Sequence, residues 1–362
     1  MRPGTKVFVT DCEGPVSKND NAFELASRFI PDGERFFALV SRYDDVLADI
    51  VHRPGYKAGD TLKLILPFLR AYGVTSSKMR VFSSENILLV PGADETLRFV
   101  STIMPSFIVS TSYEQYIFAL CDAVGFPKQN AYCTRLDIDR YGLDEEEIRK
   151  LEMLRSEISK MAMIEAPQDA KSVNDLPGES AATVRRLDEI FWEEIAGLKS
   201  GMMLEEVNPI GGYEKARAVE EITRKVDADL PDILYVGDSI TDVDPFRLVR
   251  GGGGLTVSFN GNQYAIREAE IAVLSHHTVV TSIIADLFRK LDRKRVINLV
   301  ENWGLPALNR VCEPVLLQQL RQLHPEKAPK VEAVTGGNMG RLMQESTAFR
   351  RTVRGEAIGR LG

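Results

Sequence analysis

The stretch KVFVTDCEGPVS (Lys6–Ser17) runs from a short apolar segment directly into two carboxylates and a glycine–proline turn. A continuous apolar run such as Val7–Thr10 is typical of a buried parallel strand, because a half-exposed strand would alternate apolar and polar residues. Asp11 and Glu13 follow this predicted strand at once. Carboxylates at the mouth of a buried strand cost free energy unless a cation or a ligand uses their charge. The stretch therefore indicates both a strand and a candidate site.

Further apolar runs predict more strands, and helical patterns separate them. The predicted strands are Val7–Thr10, Ser106–Thr111, Asp232–Gly237 and Leu255–Phe259, and the predicted helices between them include Thr96–Ile103, Tyr113–Val124 and Glu214–Val226. Alternation of strands and helices predicts an α/β fold with a doubly wound, parallel, Rossmann-like sheet. Ligands of such sheets bind outside the carboxyl ends of the strands, which is where the acidic residues lie.

Two segments interrupt this alternation and read as helical insertions. The predicted division is an α/β core at 1–18, 87–135 and 209–290, a first insertion at 19–86, a second at 136–208, and a helical extension with a tail at 291–362. In the second insertion, apolar residues recur every three or four positions from Ile148 to Met161, as on one face of an amphipathic helix. From about His324 the chain is rich in glycine and arginine, and we expect a mobile or surface-packed tail.

Composition narrows the classes of partner and the compartment. The formal net charge of −7 argues against nucleic acid or an anionic membrane as the main partner, since both require clustered positive charge. No stretch reaches the roughly 18 apolar residues of a membrane span. The four cysteines form no CxxC pair and read as reduced thiols, and no signal-peptide pattern is seen, so we expect a cytoplasmic protein.

Three more groups of polar residues lie at predicted strand or helix ends. Ser110 and Thr111 close the second strand, where their hydroxyl groups can donate to an anion or cap the next helix. Lys215 falls in the first turn of a helix, an unfavourable place for a cation unless it faces an anion; a solvated lysine is the alternative. Asp238 and Asp242 follow the third strand and suit a hard cation such as Mg²⁺, or else an N-cap and a surface acid.

Taken in order, these motifs resemble the four signature motifs of the haloacid dehalogenase (HAD) superfamily. The resemblance covers roughly residues 1–18, 87–135 and 209–285. It implies that Asp11 is the nucleophile, Glu13 the acid and base, Ser110 with Thr111 the phosphate-binding hydroxyls, Lys215 the conserved cation, and Asp238 and Asp242 metal-binding acids. It also implies that the metal rests on Asp11 and on the backbone of Glu13. The first insertion then occupies the position of a helical cap.

The activity implied is that of a Mg²⁺-dependent phosphatase acting on a small phosphorylated metabolite through an aspartyl phosphate. Most phosphatases of the superfamily carry Asp-x-Asp at the first motif, whereas this chain carries Asp11-x-Glu13. Glutamate occurs there in enolase-phosphatases and in a branch similar to phosphoserine phosphatase. Glutamate is chemically suited to the same proton transfers if its longer side chain reaches the leaving group.

Two alternatives remain open at this stage. The chain also resembles archaeal sequences named as subunits of an energy-converting hydrogenase, which implies a non-catalytic or regulatory role with a protein partner bound through the second insertion or the tail. A phosphotransferase on the same core is the other. In the first insertion, Arg53, Tyr56 and Lys57 are candidates for contacting a substrate headgroup, with a solvated loop as the alternative.

Overall fold

The computed structural model describes residues 4–167, 169–326 and 328–359. Seven strands form one sheet in the order β3-β2-β1-β4-β5-β6-β7, parallel except for the antiparallel pairing of β7 with β6. The strands are β1 (Val7–Thr10), β2 (Ser106–Tyr113), β3 (Ala131–Thr134), β4 (Ile233–Gly237), β5 (Leu255–Phe259), β6 (Ile271–Leu274) and β7 (Lys330–Ala333).

The central strand β1 shows why the sheet is covered on both faces. Its neighbours are β2 and β4, and all four of its residues are buried. Phe8 packs into the apolar cluster on one face, whereas Val7 and Val9 pack into the cluster on the other. A strand buried on both faces needs the continuous apolar run seen in the sequence. The predicted α/β fold with a doubly wound, mostly parallel sheet is thus confirmed.

Helices cover these faces and form both insertions. They are α1 (Asn21–Phe29), α2 (Gly33–Asp45), α3 (Thr61–Ala71), α4 (Ser76–Glu85), α5 (Ala93–Ile103), α6 (Glu114–Val124), α7 (Glu145–Ile158), α8 (Gly178–Glu189), α9 (Met202–Glu206), α10 (Tyr213–Val226), α11 (Val243–Gly251), α12 (Gln263–Glu268), α13 (Val279–Lys290), α14 (Arg293–Glu301), α15 (Leu305–Leu308), α16 (Pro314–Leu323), α17 (Met339–Arg354) and α18 (Glu356–Gly359). Among the described residues, none of the helices is both long and apolar enough to cross a membrane.

The two insertions share a single hydrophobic core. Phe191, from the second insertion, contacts Phe68 and Tyr43 of the first, with ring centroids 6.2 Å and 5.8 Å apart. One buried cluster contains apolar residues of both segments. Both α2 and α8 continue into a turn of π-helix, at Val46–Ile50 and Ile190–Ile195. We call this combined helical layer the cap, since it lies over the carboxyl ends of the strands.

The C-terminal tail is ordered and largely packed, so the expectation of a mobile or surface-packed tail is wrong. Its strand β7 extends the sheet at the β6 edge. Its helix α17 buries Leu342 and Ser346 completely and leaves only 3% of Arg350 exposed. The hydrophobic periodicity that would have revealed this helix is interrupted, because two of the buried residues on its inner face are polar.

Candidate active site

The site lies between β1 and β4, where the order of the strands reverses direction. Loops diverge at such a switch point and leave a crevice at the carboxyl edge of the sheet. Asp11 follows β1 and Asp238 follows β4, while Asp242 ends the short helical turn after β4. One carboxylate oxygen from each of these three acids lies within 4.8 Å of the others. All three side chains are buried.

Lys215 joins two of these acids from beneath. Its Nζ atom lies 2.6 Å from Oδ2 of Asp11 and 2.8 Å from Oδ1 of Asp242, and its side chain is fully buried. Helix α10 begins just after Gly212, which places Lys215 in the first turn and directs it at the strand ends. The unfavourable position of a lysine at a helix N-terminus is therefore offset by two carboxylates.

Asp242 is held by a complete set of donors. Its Oδ1 atom also accepts a hydrogen bond from the hydroxyl of Tyr235 at 2.8 Å. Its Oδ2 atom accepts from the backbone N–H groups of Asp238 at 2.9 Å and Ser239 at 3.1 Å. With both oxygens occupied, Asp242 positions Lys215 and the turn that carries Asp238. It is less open to a direct ligand than Asp11 and Asp238 are.

The charges of the site shift the pKa values of its members in opposite ways. Burial raises the pKa of Asp11 to about 7, against the opposing effect of Lys215 and with a contribution from Asp242 and Asp238. For Lys215, burial lowers the pKa, but the carboxylates of Asp11 and Asp242 outweigh it and raise the pKa above its ordinary value. The lysine therefore stays charged, while the carboxylates around it still carry excess negative charge.

Glu13 lies on the far side of the site and touches the cap. Its Oε1 atom accepts a hydrogen bond of 2.7 Å from the backbone N–H of Asn21, the first residue of α1. Burial raises the pKa of Glu13 well above its usual range, which favours a proton on the carboxyl group. The intervening Gly14 has a φ of +105°, and a Cβ atom there would lie 2.2 Å from the Asp238 carboxylate. Glycine thus permits this loop to approach Asp238.

The hydroxyl groups after β2 differ in what they offer. Ser110 is 1% exposed, and its Oγ atom accepts a bond of 3.3 Å from the backbone N–H of Ser112. This leaves the hydroxyl proton of Ser110 available to an anion. The Thr111 hydroxyl instead donates to the backbone carbonyl of Ile210 at 3.1 Å. The buried Oγ of Ser112 has no hydrogen-bond partner among the described residues.

A cavity of about 110 Å³ separates the core from the cap. From the core it is lined by Asp11, Glu13, Ser110, Thr111 and Asp238, and from the cap by residues that include Asp20, Asp44, Asp45 and Phe37. Lys215 and Asp242 lie beneath it rather than on its wall. The sequence-predicted residues thus converge on one enclosed volume, and the acids on its cap side had no sequence signal.

The candidate headgroup residues of the first insertion have structural contacts. The Lys57 ammonium lies 2.8 Å from Asp60 and from the amide oxygen of Asn208. Tyr56 donates to Asp44 at 2.6 Å. Arg53 lies over the ring of Trp192, 4.4 Å from its centroid. None of the three lines the cavity, and each joins parts of the protein together.

Two arginines of the tail enter the site, and sequence reasoning missed both. Arg350 and Arg354 line the cavity, and both guanidinium groups contact Oδ2 of Asp238, the latter at 3.2 Å. Their spacing of four residues puts them on one face of α17. That spacing was a usable signal, but only after a helix had been predicted there.

The oxygen donors of the site suit Mg²⁺. A hard divalent cation of this size prefers carboxylate, carbonyl and water oxygens and keeps several waters. Asp11 and Asp238 supply such oxygens at the cavity wall, and the three-acid cluster is compact enough for one ion. Asp238 would hold the ion together with Asp11, while Asp242 supports them from below.

Comparison with known proteins gives the fold more than the activity. No family model matches the chain, and no curated protein matches it closely. The structure of gene product AF1437 from Archaeoglobus fulgidus is 26% identical with a TM-score of 0.80, and the match covers 99% of both chains. An apo phosphoserine phosphatase is 14% identical with a TM-score of 0.39, over 75% of this chain and 95% of that one. A phospho-aspartyl intermediate analogue of phosphoserine phosphatase is 16% identical with a TM-score of 0.39, over 74% and 93%.

Proposed function

We propose that this protein is a Mg²⁺-dependent phosphatase of the haloacid dehalogenase type, which hydrolyses a small phosphomonoester. The observation that carries the proposal is the grouping of Asp11, Lys215, Asp238 and Asp242 at one switch point, beneath a cavity closed by a cap. A buried lysine between two carboxylates, beside a third carboxylate, suits a site that binds a cation and a phosphoryl group together.

In this proposal Asp11 is the nucleophile. Its carboxylate attacks phosphorus, the bond to the leaving alcohol oxygen breaks, and an aspartyl phosphate forms. Bound Mg²⁺ would neutralise the negative charge that separates the carboxylate from the phosphoryl group. Lys215 fixes Oδ2 of Asp11 at 2.6 Å, so that the carboxylate has one defined orientation toward the cavity.

Glu13 serves as general acid and then as general base. Its raised pKa keeps the proton that the leaving alcohol needs, and the ionised group then takes a proton from the water that attacks the intermediate. The hydrogen bond from Asn21 holds the carboxyl group against the first cap helix. Ser110 donates to a non-bridging phosphoryl oxygen, and Thr111 supports the same loop through Ile210.

The cavity sets an upper size for the substrate in this closed arrangement. About 110 Å³ is well below the roughly 300–1,000 Å³ typical of pockets for drug-sized ligands. A phosphoryl group with a few further heavy atoms fits this volume. Compact metabolites, of the size of a phosphorylated amino acid or a small sugar phosphate, are therefore the substrates to test first.

A non-catalytic, regulatory role is the second candidate, and one observation favours it. The carboxylate of Asp238 is already paired with Arg350 and Arg354, so that the site is neutralised in part without any metal. A protein of this kind would bind a partner through the cap or tail and release no phosphate. A phosphotransferase would form the same aspartyl phosphate but deliver it to an alcohol.

Phosphate release from a panel of small phosphomonoesters, with and without Mg²⁺, tests the proposal. The wild type is compared with Asp11→Asn and with Asp122→Asn, which changes an exposed surface acid. We expect Mg²⁺-dependent release that falls by at least about a thousandfold in Asp11→Asn and is unchanged in Asp122→Asn. Release that persists in Asp11→Asn would contradict the mechanism. Absence of release from every ester would favour the regulatory role.

A further inference from the structure

The C-terminal helix α17 presents a polar face to the site. Ser346, Arg350 and Arg354 follow one another at intervals of four residues and so lie along one side of the helix. The Ser346 hydroxyl donates to the backbone carbonyl of Gly261 at 2.6 Å, which anchors the helix beside the strand ends. Leu342 packs with Ile266 and Ala272 one turn earlier. The helix is thus docked on the core along its length.

Both arginines contact the same acid. Arg350 bonds the Oδ2 atom of Asp238 and lies 3.3 Å from the backbone carbonyl of that residue. Arg354 places Nη1 3.2 Å from the same Oδ2 atom. The two arginine side chains are 4% and 5% exposed, and that of Asp238 is 1% exposed. Two positive charges therefore occupy one side of a buried carboxylate that suits a divalent cation.

Arg354 also holds the hinge of the cap. Its Nε atom donates to the carbonyl of Lys18 at 3.1 Å, and its Nη2 atom donates to the carbonyl of Asn19. The chain enters the cap at these residues and returns beside them, since Asn19 bonds the backbone of Leu88 and Asn86 at 2.8 Å and 2.7 Å. One side chain thus links Asp238 to both passages between core and cap.

The segment after the helix reaches the cap itself. Ile358, in α18, packs against the apolar cluster of the cap. The tail therefore contacts the core through α17, the site through its arginines, and the cap through α18. These three contacts can be made together only while the cap is closed.

We propose that the docked helix α17 is a built-in competitor of the divalent cation, so that cation binding at Asp238 requires Arg350 and Arg354 to leave. The proposal rests on the proposed function, since it takes Asp238 as a metal ligand. A dication at Asp238 would lie beside two guanidinium groups in a buried, weakly screened environment, where like charges repel strongly. Occupation by the arginines and occupation by the cation are therefore alternatives.

Release of the arginines would also free the cap hinge. Because Arg354 bonds Lys18 and Asn19, undocking removes the same bonds that hold the cap entry in place. Cation loading and cap opening are then linked. By reciprocity, the factor by which docking weakens cation binding equals the factor by which the cation weakens docking. The two sides of this linkage can be measured separately.

The first measurement is Mn²⁺ binding, followed by the loss of the electron paramagnetic resonance signal of free Mn²⁺. The proteins are the wild type, the double variant Arg350→Gln/Arg354→Gln, the same double variant with Asp238→Asn, and the control Arg341→Gln. Arg341 lies on the same helix but pairs with exposed Glu332 and Glu345. We expect the double variant to bind Mn²⁺ at least tenfold more tightly than the wild type. Asp238→Asn should abolish that gain, and Arg341→Gln should leave the affinity unchanged.

The second measurement uses the wild type alone and does not depend on how a variant folds. Amide hydrogen exchange of residues 345–354 is followed as Mn²⁺ is added, with α16 as an internal reference. We expect exchange in α17 to become faster with Mn²⁺ while exchange in α16 does not change. Unchanged or slower exchange in α17, at Mn²⁺ concentrations that saturate the site, would overturn the proposal.

The results separate this proposal from the proposed function. Equal Mn²⁺ affinity in the wild type and the double variant, with Mg²⁺-dependent phosphate release intact, would overturn the competition and leave the phosphatase standing. Tighter Mn²⁺ binding in the double variant without release from any ester would support the competition and contradict the phosphatase. Weaker phosphate binding in the double variant, with Mn²⁺ affinity unchanged, would show that the arginines serve the substrate anion, which also overturns the competition.

Discussion

The molecule contains two buried clusters of lysine and aspartate that look alike in isolation. The site cluster is Lys215 between Asp11 and Asp242, at 2.6 Å and 2.8 Å. The cap cluster is Asp60 between Lys57 and Lys63, both at 2.8 Å. Every side chain in the two clusters is at most 11% exposed. Burial and close ion pairing therefore do not by themselves distinguish a functional site.

The clusters differ in stoichiometry and in what they face. The site cluster has one lysine for two carboxylates, and Asp11 lies on the cavity wall beside a third acid, Asp238. The cap cluster has two lysines for one carboxylate, and none of its members lines the cavity. Lys57 instead bonds Asn208, at the junction where the second insertion returns to the core. Excess negative charge facing a cavity is what marks the candidate site.

Removal of Lys215 should have the largest effect on either cluster. Lys215→Met leaves Asp11 and Asp242 buried without their shared cation. Loss of one partner of a buried ion pair typically costs about 3–5 kcal/mol in the free energy of unfolding. Loss of one electrostatic contact at a reacting group costs about 2.7–4 kcal/mol in the activation barrier, or about a hundred- to a thousandfold in turnover. Denaturant unfolding without Mg²⁺ and phosphate release with Mg²⁺ measure the two effects. Wild-type turnover in this variant would remove Lys215 from the mechanism.

The matched change in the cap cluster should affect stability alone. Lys57→Met removes one of two lysines, so that Asp60 keeps its partner Lys63 and the loss is one buried, charge-assisted contact. We expect the free energy of unfolding to fall by about 1–3 kcal/mol, with turnover per folded molecule within about twofold of the wild type. The same unfolding and phosphate-release assays measure both quantities. A fall in turnover comparable to that of Lys215→Met in a folded protein would erase the distinction between the clusters.

The sequence was informative where chemistry follows a regular strand. Val7–Thr10 and Leu255–Phe259 were predicted with the observed bounds, because central strands buried on both faces carry continuous apolar runs. The acids after β1 and β4 could then be placed together, since parallel strands present their carboxyl ends at one edge. The four-residue strands β3 and β6 were missed, because such short apolar runs give little pattern to recognise.

The tail and the cap acids could not be predicted for a physical reason. The buried face of α17 includes Ser346 and Arg350, whose burial depends on Gly261 and Asp238, far away in sequence. Asp44 likewise owes its position on the cavity wall to contacts with Tyr56 and Gly59. Such residues are polar in sequence and buried in structure. Only the tertiary fold supplies the partners that make their burial tolerable.

The smallest expected effect concerns Asp44, a cap acid next to the cap cluster but without a lysine partner of its own. Burial raises its pKa to about 7, against the hydrogen bond from Tyr56 and with a contribution from Asp60. The folded protein therefore keeps this proton up to about pH 7, whereas the unfolded chain loses it near pH 4. Folding takes up a proton between these values, so this group lowers the stability of the wild type as the pH rises from 4 to 7. The change amounts to at most about 4 kcal/mol.

Asp44→Asn removes this titration and should flatten that part of the pH profile. The amide still accepts from Tyr56 but loses one acceptor toward the backbone of Gly59 and Thr61, so the variant is expected to be less stable near pH 4. Its deficit relative to the wild type should then shrink steadily up to pH 7. Urea unfolding of both proteins at four pH values between 4.5 and 7.5 measures this difference, with Asp122→Asn as a control whose difference stays constant. If the difference between Asp44→Asn and the wild type does not change with pH, then Asp44 is ionised in the folded protein throughout, and a cation must reach the cap side of the cavity to stabilise it.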